Sequence, residues 1–169
     1  MAEVKQLQLN MPTSGVVEVT ACAFTGHRVL TSEFSAQKTQ TVIEELIARG
    51  VCTFYNGMAV GFDLETAKIV VKLKAKYPQI RFVACIPFYG QEKRFSEAEK
   101  KLYAELLASA DEQVVLFPSY VNGCFLARDR YMADRADVLV AFCKSETGGT
   151  AYTVRYFRRK KPHNEVLFV

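Results

Sequence analysis

Histidine is scarce in this chain of 169 residues. There are two, His27 and His163, too far apart in sequence to share a metal at ligand spacing, so no zinc site is expected. The five cysteines, Cys22, Cys52, Cys85, Cys124 and Cys143, form no C-x-x-C pair, which excludes the usual zinc-ribbon and dithiol redox signatures. Four of them sit in apolar runs, as buried free thiols do. No apolar run is long enough to span a bilayer. No signal-peptide pattern opens the chain, so a reducing cytoplasm is the expected compartment and no membrane partner is expected. Internal repeats and low-complexity tracts are missing. The formal net charge of +4 suits a phosphorylated ligand but falls short of a nucleic-acid footprint unless it is clustered.

What is present is an ordinary globular composition, half hydrophobic and about a quarter charged, at a length that makes one domain the default. Residues 1–16 read as a polar leader or an extra edge strand, and 17–169 as a single domain. β-branched and apolar runs predict strands at Val16–Phe24, Val51–Tyr55, Ile80–Ile86, Gln113–Phe117, Val138–Phe142 and Glu165–Val169. Between them lie helical patterns. Ser32 or Ser35 caps a helix over about Ser35–Arg49 that Gly50 ends, and apolar positions recur four apart at Val42/Leu46 and Ile43/Ile47. A second helix runs from Leu64 to about Tyr77. Ser96 with Glu99 spells a capping box for a third. A charged amphipathic helix precedes the fifth strand, and a last one ends at Pro162. This alternation predicts an α/β, Rossmann-like doubly wound sheet, mostly parallel, of five or six strands with helices on both faces.

Three glycine turns follow strand ends in this scheme: Thr25-Gly26-His27-Arg28, Asn56-Gly57-Met58-Ala59-Val60-Gly61-Phe62-Asp63, and Thr147-Gly148-Gly149-Thr150. In an open parallel sheet all three fall on the carboxyl edge, where they can converge on one crevice. Glycine lets backbone N–H groups approach an anion, and the helix opening after Gly148-Gly149 has a partly positive N-terminus, with Thr150 expected to cap it. The second turn matches neither the three-glycine dinucleotide fingerprint nor a P-loop. Asp63 and Glu65 serve the helix dipole or accept bonds from sugar hydroxyls. Arg128 and Arg130, upstream of the fifth strand, are expected to bring guanidinium groups to the pocket. Phe88 and Tyr89, just after the third strand, either cover the sheet or stack on a base. The basic run Arg155, Arg158, Arg159, Lys160, Lys161 complements the last helix's dipole rather than marking a nucleic-acid groove.

Taken together, Phe24-Thr-Gly-His-Arg28, Gly57-Met-Ala-Val-Gly-Phe-Asp63, Pro87 with Gln91, Arg128-x-Arg-Tyr-Met132 with Asp134, and Gly148-Gly-Thr-Ala-Tyr-Thr-Val154 resemble the SLOG superfamily. That Rossmann-like group links the DNA-processing protein DprA with the "Lonely Guy" enzymes. The branch most resembled is that of the YpsA- and YoqJ-like bacterial and prophage proteins. The resemblance implies a pocket for a nucleotide or an ADP-ribose-like derivative. Its ligand-binding set is Thr25, Gly26, His27, Arg28, Gly57, Met58, Ala59, Gly61, Asp63, Arg128, Arg130, Gly148, Gly149 and Thr150. It also implies self-association, with a dimer expected. Lonely Guy hydrolases follow their P-G-G-x-G-T turn with a catalytic glutamate three residues after the threonine. Here position 153 is threonine, which cannot supply acid–base chemistry for cleaving an N-glycosidic bond.

The expected function is therefore binding of a nucleotide-derived ligand, as a sensor or sequestering module, with no separate cofactor and no metal. The alternative is a phosphoribohydrolase or N-glycosidase in which Asp63, Glu65 or Arg128 carries the chemistry. A DprA-like single-strand binder is the weaker alternative, because no combined aromatic and basic groove is evident in the sequence.

Overall fold

The computed structural model describes residues 18–169. The leader or edge strand expected over 1–16 lies outside the described residues, as does the beginning of the first expected strand. The elements run β1 (Ala21–Gly26), α1 (Ala36–Ala48), β2 (Thr53–Asn56), α2 (Phe62–Leu73), β3 (Arg81–Phe88), a short 3₁₀ turn (Gln91–Arg94), α3 (Glu97–Ala108), β4 (Glu112–Phe117), α4 (Cys124–Arg135), β5 (Val138–Phe142), α5 (Gly148–Lys160) and β6 (Val166–Phe168). The six strands form one sheet in the order β4-β3-β2-β1-β5-β6, and every neighbouring pair is parallel.

Side-chain alternation along the strands builds two cores. Cys22 and Phe24 of β1, with Phe54, Phe82 and Val140, pack under α1, α2 and α3 through Ile43, Leu46, Val70 and Leu106. Ala23, Val83, Cys85 and Leu139 face the other way, against Met132 and Ala133 of α4 and Val154 and Phe157 of α5. Strands buried on both faces explain the near-continuous apolar runs in the sequence. The helix ends follow their caps. Ser35 Oγ accepts from Lys38 N at 3.1 Å. Ser96 Oγ accepts from Glu99 N at 3.2 Å while Glu99 Oε2 accepts from Ser96 N at 2.8 Å. Caps of this kind contribute about 1 kcal/mol each.

The first three strands reach further toward the carboxyl edge than the sequence predicts, while β6 is shorter than predicted at both ends. β1 runs on through Thr25 and Gly26, because both continue the ladder opposite Ala141 and Phe142. β2 starts later and includes Asn56, opposite Ala84. Helix α2 opens earlier, at Phe62, and ends at Leu73. The polar turn residues are thus held in regular hydrogen bonding up to the sheet edge.

The order of strands fixes where a crevice opens. From β1 the chain steps outward to β2, β3 and β4, then returns to β5 on the other side of β1. Connections leaving β1 and β5 diverge, which makes their carboxyl ends the switch point of the sheet. Asp137 locks this junction at its base: its Oδ2 accepts from Thr20 N at 2.9 Å and Ala21 N at 3.0 Å. No helix among the described residues is long and apolar enough to cross a membrane.

Candidate functional site

A cavity of about 290 Å³ opens at the switch point. The β1 turn forms one wall. Gly26 is there because Phe62, the first residue of α2, lies against it: a Cβ at position 26 would sit 2.3 Å from the Phe62 ring. Phe62 in turn stacks on Phe142 at 6.0 Å, so the ends of β1, β5 and α2 share one aromatic joint. Gly61 lets the two glycine turns touch. Its φ is +80°, and a Cβ would meet the carbonyl oxygens of Arg28 at 2.3 Å and His27 at 2.6 Å. Phe62 N donates to His27 O at 3.1 Å across the same contact. His27 ties the third turn in as well, since its Nε2 accepts from Lys144 N at 2.7 Å.

The floor is a buried charged cluster. Arg128, only 4% exposed, reaches from α4 across the end of the sheet. Its Nη1 donates to Gly57 O and its Nε to Asp129 Oδ1 at 2.7 Å. Nη2 makes no hydrogen bond among the described residues, in contrast to Nε and Nη1. Gly57 makes room: a Cβ there would lie 2.6 Å from Arg128 Nη1 and 2.8 Å from Asp63 Oδ2. Asn56 shapes the turn above, accepting from Met58 N at 2.8 Å and donating to Asp63 O at 2.9 Å. Met58 takes a positive φ of 59° there.

Asp63 is buried in the same cluster and accepts from Ala59 N at 3.2 Å. Burial pushes its carboxyl up to about 6, against the opposing pull of the Arg128 guanidinium, with Asp129 adding like-charge repulsion. An acid whose folded value is raised binds its proton more tightly in the native state. Stability contributed by that proton is full below the unfolded value near 4, falls as pH rises to 6, and stays lost above. The span corresponds to about 3 kcal/mol. In urea denaturation from pH 4 to pH 8, Asp63→Asn, which keeps an acceptor for Ala59 N, is expected to flatten this slope and gain on wild type as pH rises. Parallel profiles for the two proteins would remove Asp63 as the titrating group.

The third turn gives the cavity its mouth. Thr147, not Thr150, is the N-cap of α5, and it makes no side-chain cap bond. Thr150 lies inside the helix, buried against the cavity. Gly148 and Gly149 have open space where a Cβ would project, with no described atom within 4 Å. The first-turn N–H groups of a helix lack intrahelical partners. Thr153 donates its hydroxyl to Gly149 O at 2.8 Å, with Asp129 Oδ2 at 3.3 Å. The carboxylate beside Thr153 thus comes from α4.

The structure therefore brings Thr25, Gly26, His27, Arg28, Ala59, Asp63, Arg128, Gly149 and Thr150 to one cavity. Gly57 and Gly61 are outside its lining as spacers, Met58 is buried in the core, and Gly148 opens α5 just before Gly149. Two expectations are corrected. Arg130 turns away, its Nη1 donating to Tyr152 OH at 3.1 Å between α4 and α5. Glu65 lies on the outer surface of α2, paired with Lys68 at 3.3 Å. Phe125 and Asp129, which the sequence reading missed, also line the cavity. Their signal was the i, i+3, i+4 spacing that places Phe125, Arg128 and Asp129 on one helix face. The described cysteines are all free, and burial pushes the Cys85 thiol up to about 12. Among the described residues no group of three or more metal-ligating side chains comes together.

Comparison with known proteins agrees with this architecture. The YspA SLOG family profile matches residues 32–167. A UPF0398 protein of Bacillus pumilus is 33% identical over 93 residues, 54% of this chain and 50% of that protein. This match thus spans half of that relative's length. The SPbeta prophage-derived protein YoqJ of Bacillus subtilis is 31% identical over 135 residues, 72% of this chain and 79% of that one. Among solved structures, DNA processing protein A from Helicobacter pylori, described by its single-stranded DNA binding mode, superposes with a TM-score of 0.61 at 21% identity. That alignment covers 88% of this chain and 65% of the other, a likeness of fold.

Proposed function

The chain belongs to the YspA SLOG family, and from that membership and the crevice we propose that it binds a nucleotide or nucleotide-derived ligand, ADP-ribose-like in character, as a sensor or sequestering module. The observation that carries this reading is the convergence of three glycine turns from β1, β2 and β5 on one cavity with a buried arginine in its floor. In this arrangement the phosphate takes the open N-terminus of α5, with Arg28 and Arg128 Nη2 as charged donors. The carboxylates of Asp63 and Asp129 face the sugar hydroxyls. Each acceptor is already oriented, Asp63 by Ala59 N and Asp129 by Arg128 and Thr153, so little ordering cost remains for the ligand to meet.

The test is a thermal-shift panel of nucleoside monophosphates, ADP-ribose and NAD, with mass spectrometry of each mixture. A ligand at 100 times its Kd adds about 2.7 kcal/mol. A shift with the ligand recovered intact is expected. Gly149→Ala separates a binding turn from a merely structural one. No described atom lies near the new methyl, and alanine is worth up to about 1 kcal/mol over glycine in a helix. The unliganded Tm is therefore expected to hold or rise while the ligand-induced shift shrinks. An undiminished shift would take the ligand away from α5.

One observation favours a second reading, N-glycosidic cleavage. Asp63, pushed up to about 6, and Asp129 line the same cavity, and a raised carboxyl beside a second one is the arrangement of an acid with a charge stabiliser. Free base in the mixtures, lost in Asp63→Asn, would establish it.

A further inference from the structure

A second and larger cavity, about 760 Å³, continues from the first, and Arg28, Ala59 and Phe125 line both. Its wall is an aromatic cluster drawn from three elements. Phe88 at the end of β3, Tyr120 before α4 and Phe125 in the first turn of α4 meet with ring centroids 5.6 Å (Phe88–Tyr120), 5.9 Å (Phe88–Phe125) and 6.4 Å (Tyr120–Phe125) apart. Tyr120 is 61% exposed and the neighbouring Tyr89 68%, so ring faces remain open to a ligand. The Arg28 guanidinium lies 4.9 Å over the Phe125 ring, at the junction of the two cavities. Lys93 and Arg94 also line this second cavity, while the acidic Glu99 is committed to its capping box.

The two cavities thus differ in chemistry. The smaller holds Arg128 and the start of α5, Arg28 and Phe125 stand where the two meet, and the larger carries Phe88 and Tyr120 together with Lys93 and Arg94. We propose that the ligand carries two nucleosides joined through phosphate, the second base stacking on the Tyr120–Phe88–Phe125 cluster. This rests on the nucleotide reading of the smaller cavity and extends it. A cavity with a buried arginine joined to one that has open aromatic rings and its own cations offers phosphate-binding and base-stacking groups side by side. Base–aromatic stacking tolerates any base, and cavities of this size hold drug-sized ligands. A free dinucleotide and the end of a single strand present the same chemistry.

The experiment measures Kd by calorimetry for AMP, the 5′-phosphorylated dinucleotide pApA, NAD and a ten-nucleotide oligo(dA), on wild type, Tyr120→Ala and Tyr120→Phe. pApA is expected to bind about tenfold tighter than AMP, the gain of one stacked base. Tyr120→Ala removes that gain and leaves AMP unchanged, and Tyr120→Phe retains it. NAD sharing the gain means a pyrophosphate link also serves. Oligo(dA) far tighter than pApA assigns the source to a strand, and equal affinity assigns it to a free dinucleotide; each of these supports the two-nucleoside ligand. Equal affinities for AMP and pApA, or equal losses for both in Tyr120→Ala, overturn the inference while leaving the nucleotide reading standing. No binding of any of the four overturns both.

Discussion

Gly61→Ala is expected to destabilise the protein by about 3 kcal/mol, the combined scale of a strained backbone and an overpacked contact. The backbone at this position has φ +80°, which alanine adopts only at a cost. The added methyl would also press on the carbonyl oxygens of Arg28 and His27. Main-chain atoms cannot rotate aside as a side chain can. Relief requires the first and second glycine turns to separate, and that opens the cavity. Gly123 supplies the control. It has the same φ of +80° but no described atom within 4 Å of its would-be Cβ, so Gly123→Ala pays the conformational cost alone, about 1 kcal/mol. Urea midpoints of the two variants should therefore differ clearly. If they cost the same, the turns are not in the close contact described.

Arg128→Met should lower stability by about 3 kcal/mol, the lower end of what removing one member of a buried ion pair costs. If the proposed nucleotide binding holds, the same variant should weaken it at least tenfold, as expected for a lost charged donor. Methionine fills much of the volume but leaves Asp129 without its 2.7 Å partner and Gly57 O without its donor. The same substitution reaches Asp63. Arg128 is what pulls that carboxyl down against its burial, so removing the guanidinium should move the Asp63 titration upward, as followed by carbon-detected NMR. Arg128→Lys separates charge from shape: an ammonium restores a positive charge without the planar fork, and should recover part of the stability and little of the binding. An Asp63 titration that stays put in Arg128→Met would mean the two groups are not coupled.

The elements that the sequence made legible are those with a local cause. Ser35, Ser96 with Glu99, and Gly50 mark helix ends through contacts within four residues, and each is found where expected. The apolar runs identified the strands because a parallel sheet buries both faces. The ends of β1 and β2 lie beyond the sequence expectation where polar residues, Thr25 and Asn56, stay in the ladder, since pairing to a distant strand overrides composition. Site residues divide in the same way. The glycine turns were visible as turns. That Gly57 and Gly61 act as spacers for Arg128 and for the Arg28 backbone depends on contacts between segments far apart in sequence. Arg130 and Arg128 look equivalent in the sequence. Two residues on a helix are about 200° apart around its axis, so only one could face the crevice, and the packing of α4 on α5 chose Arg128. Thr150 was read as a cap because it follows the glycines, but the helix begins at the glycines themselves.

The junction of β1 with β5 has a kinetic consequence. Asp137 holds Thr20 and Ala21, and His27 holds Lys144, across sequence separations of 116 and 117 residues. Such distant pairings close a long loop and form late, because the entropy of closure precedes any gain. During synthesis the β1–β4 half can pair with itself, yet β1 stands at its edge with unpaired backbone groups until the fifth strand has been made. The crevice therefore has no finished form until β5 and the first turn of α5 have been made. Whatever occupies it stabilises only a chain synthesised at least to Thr150.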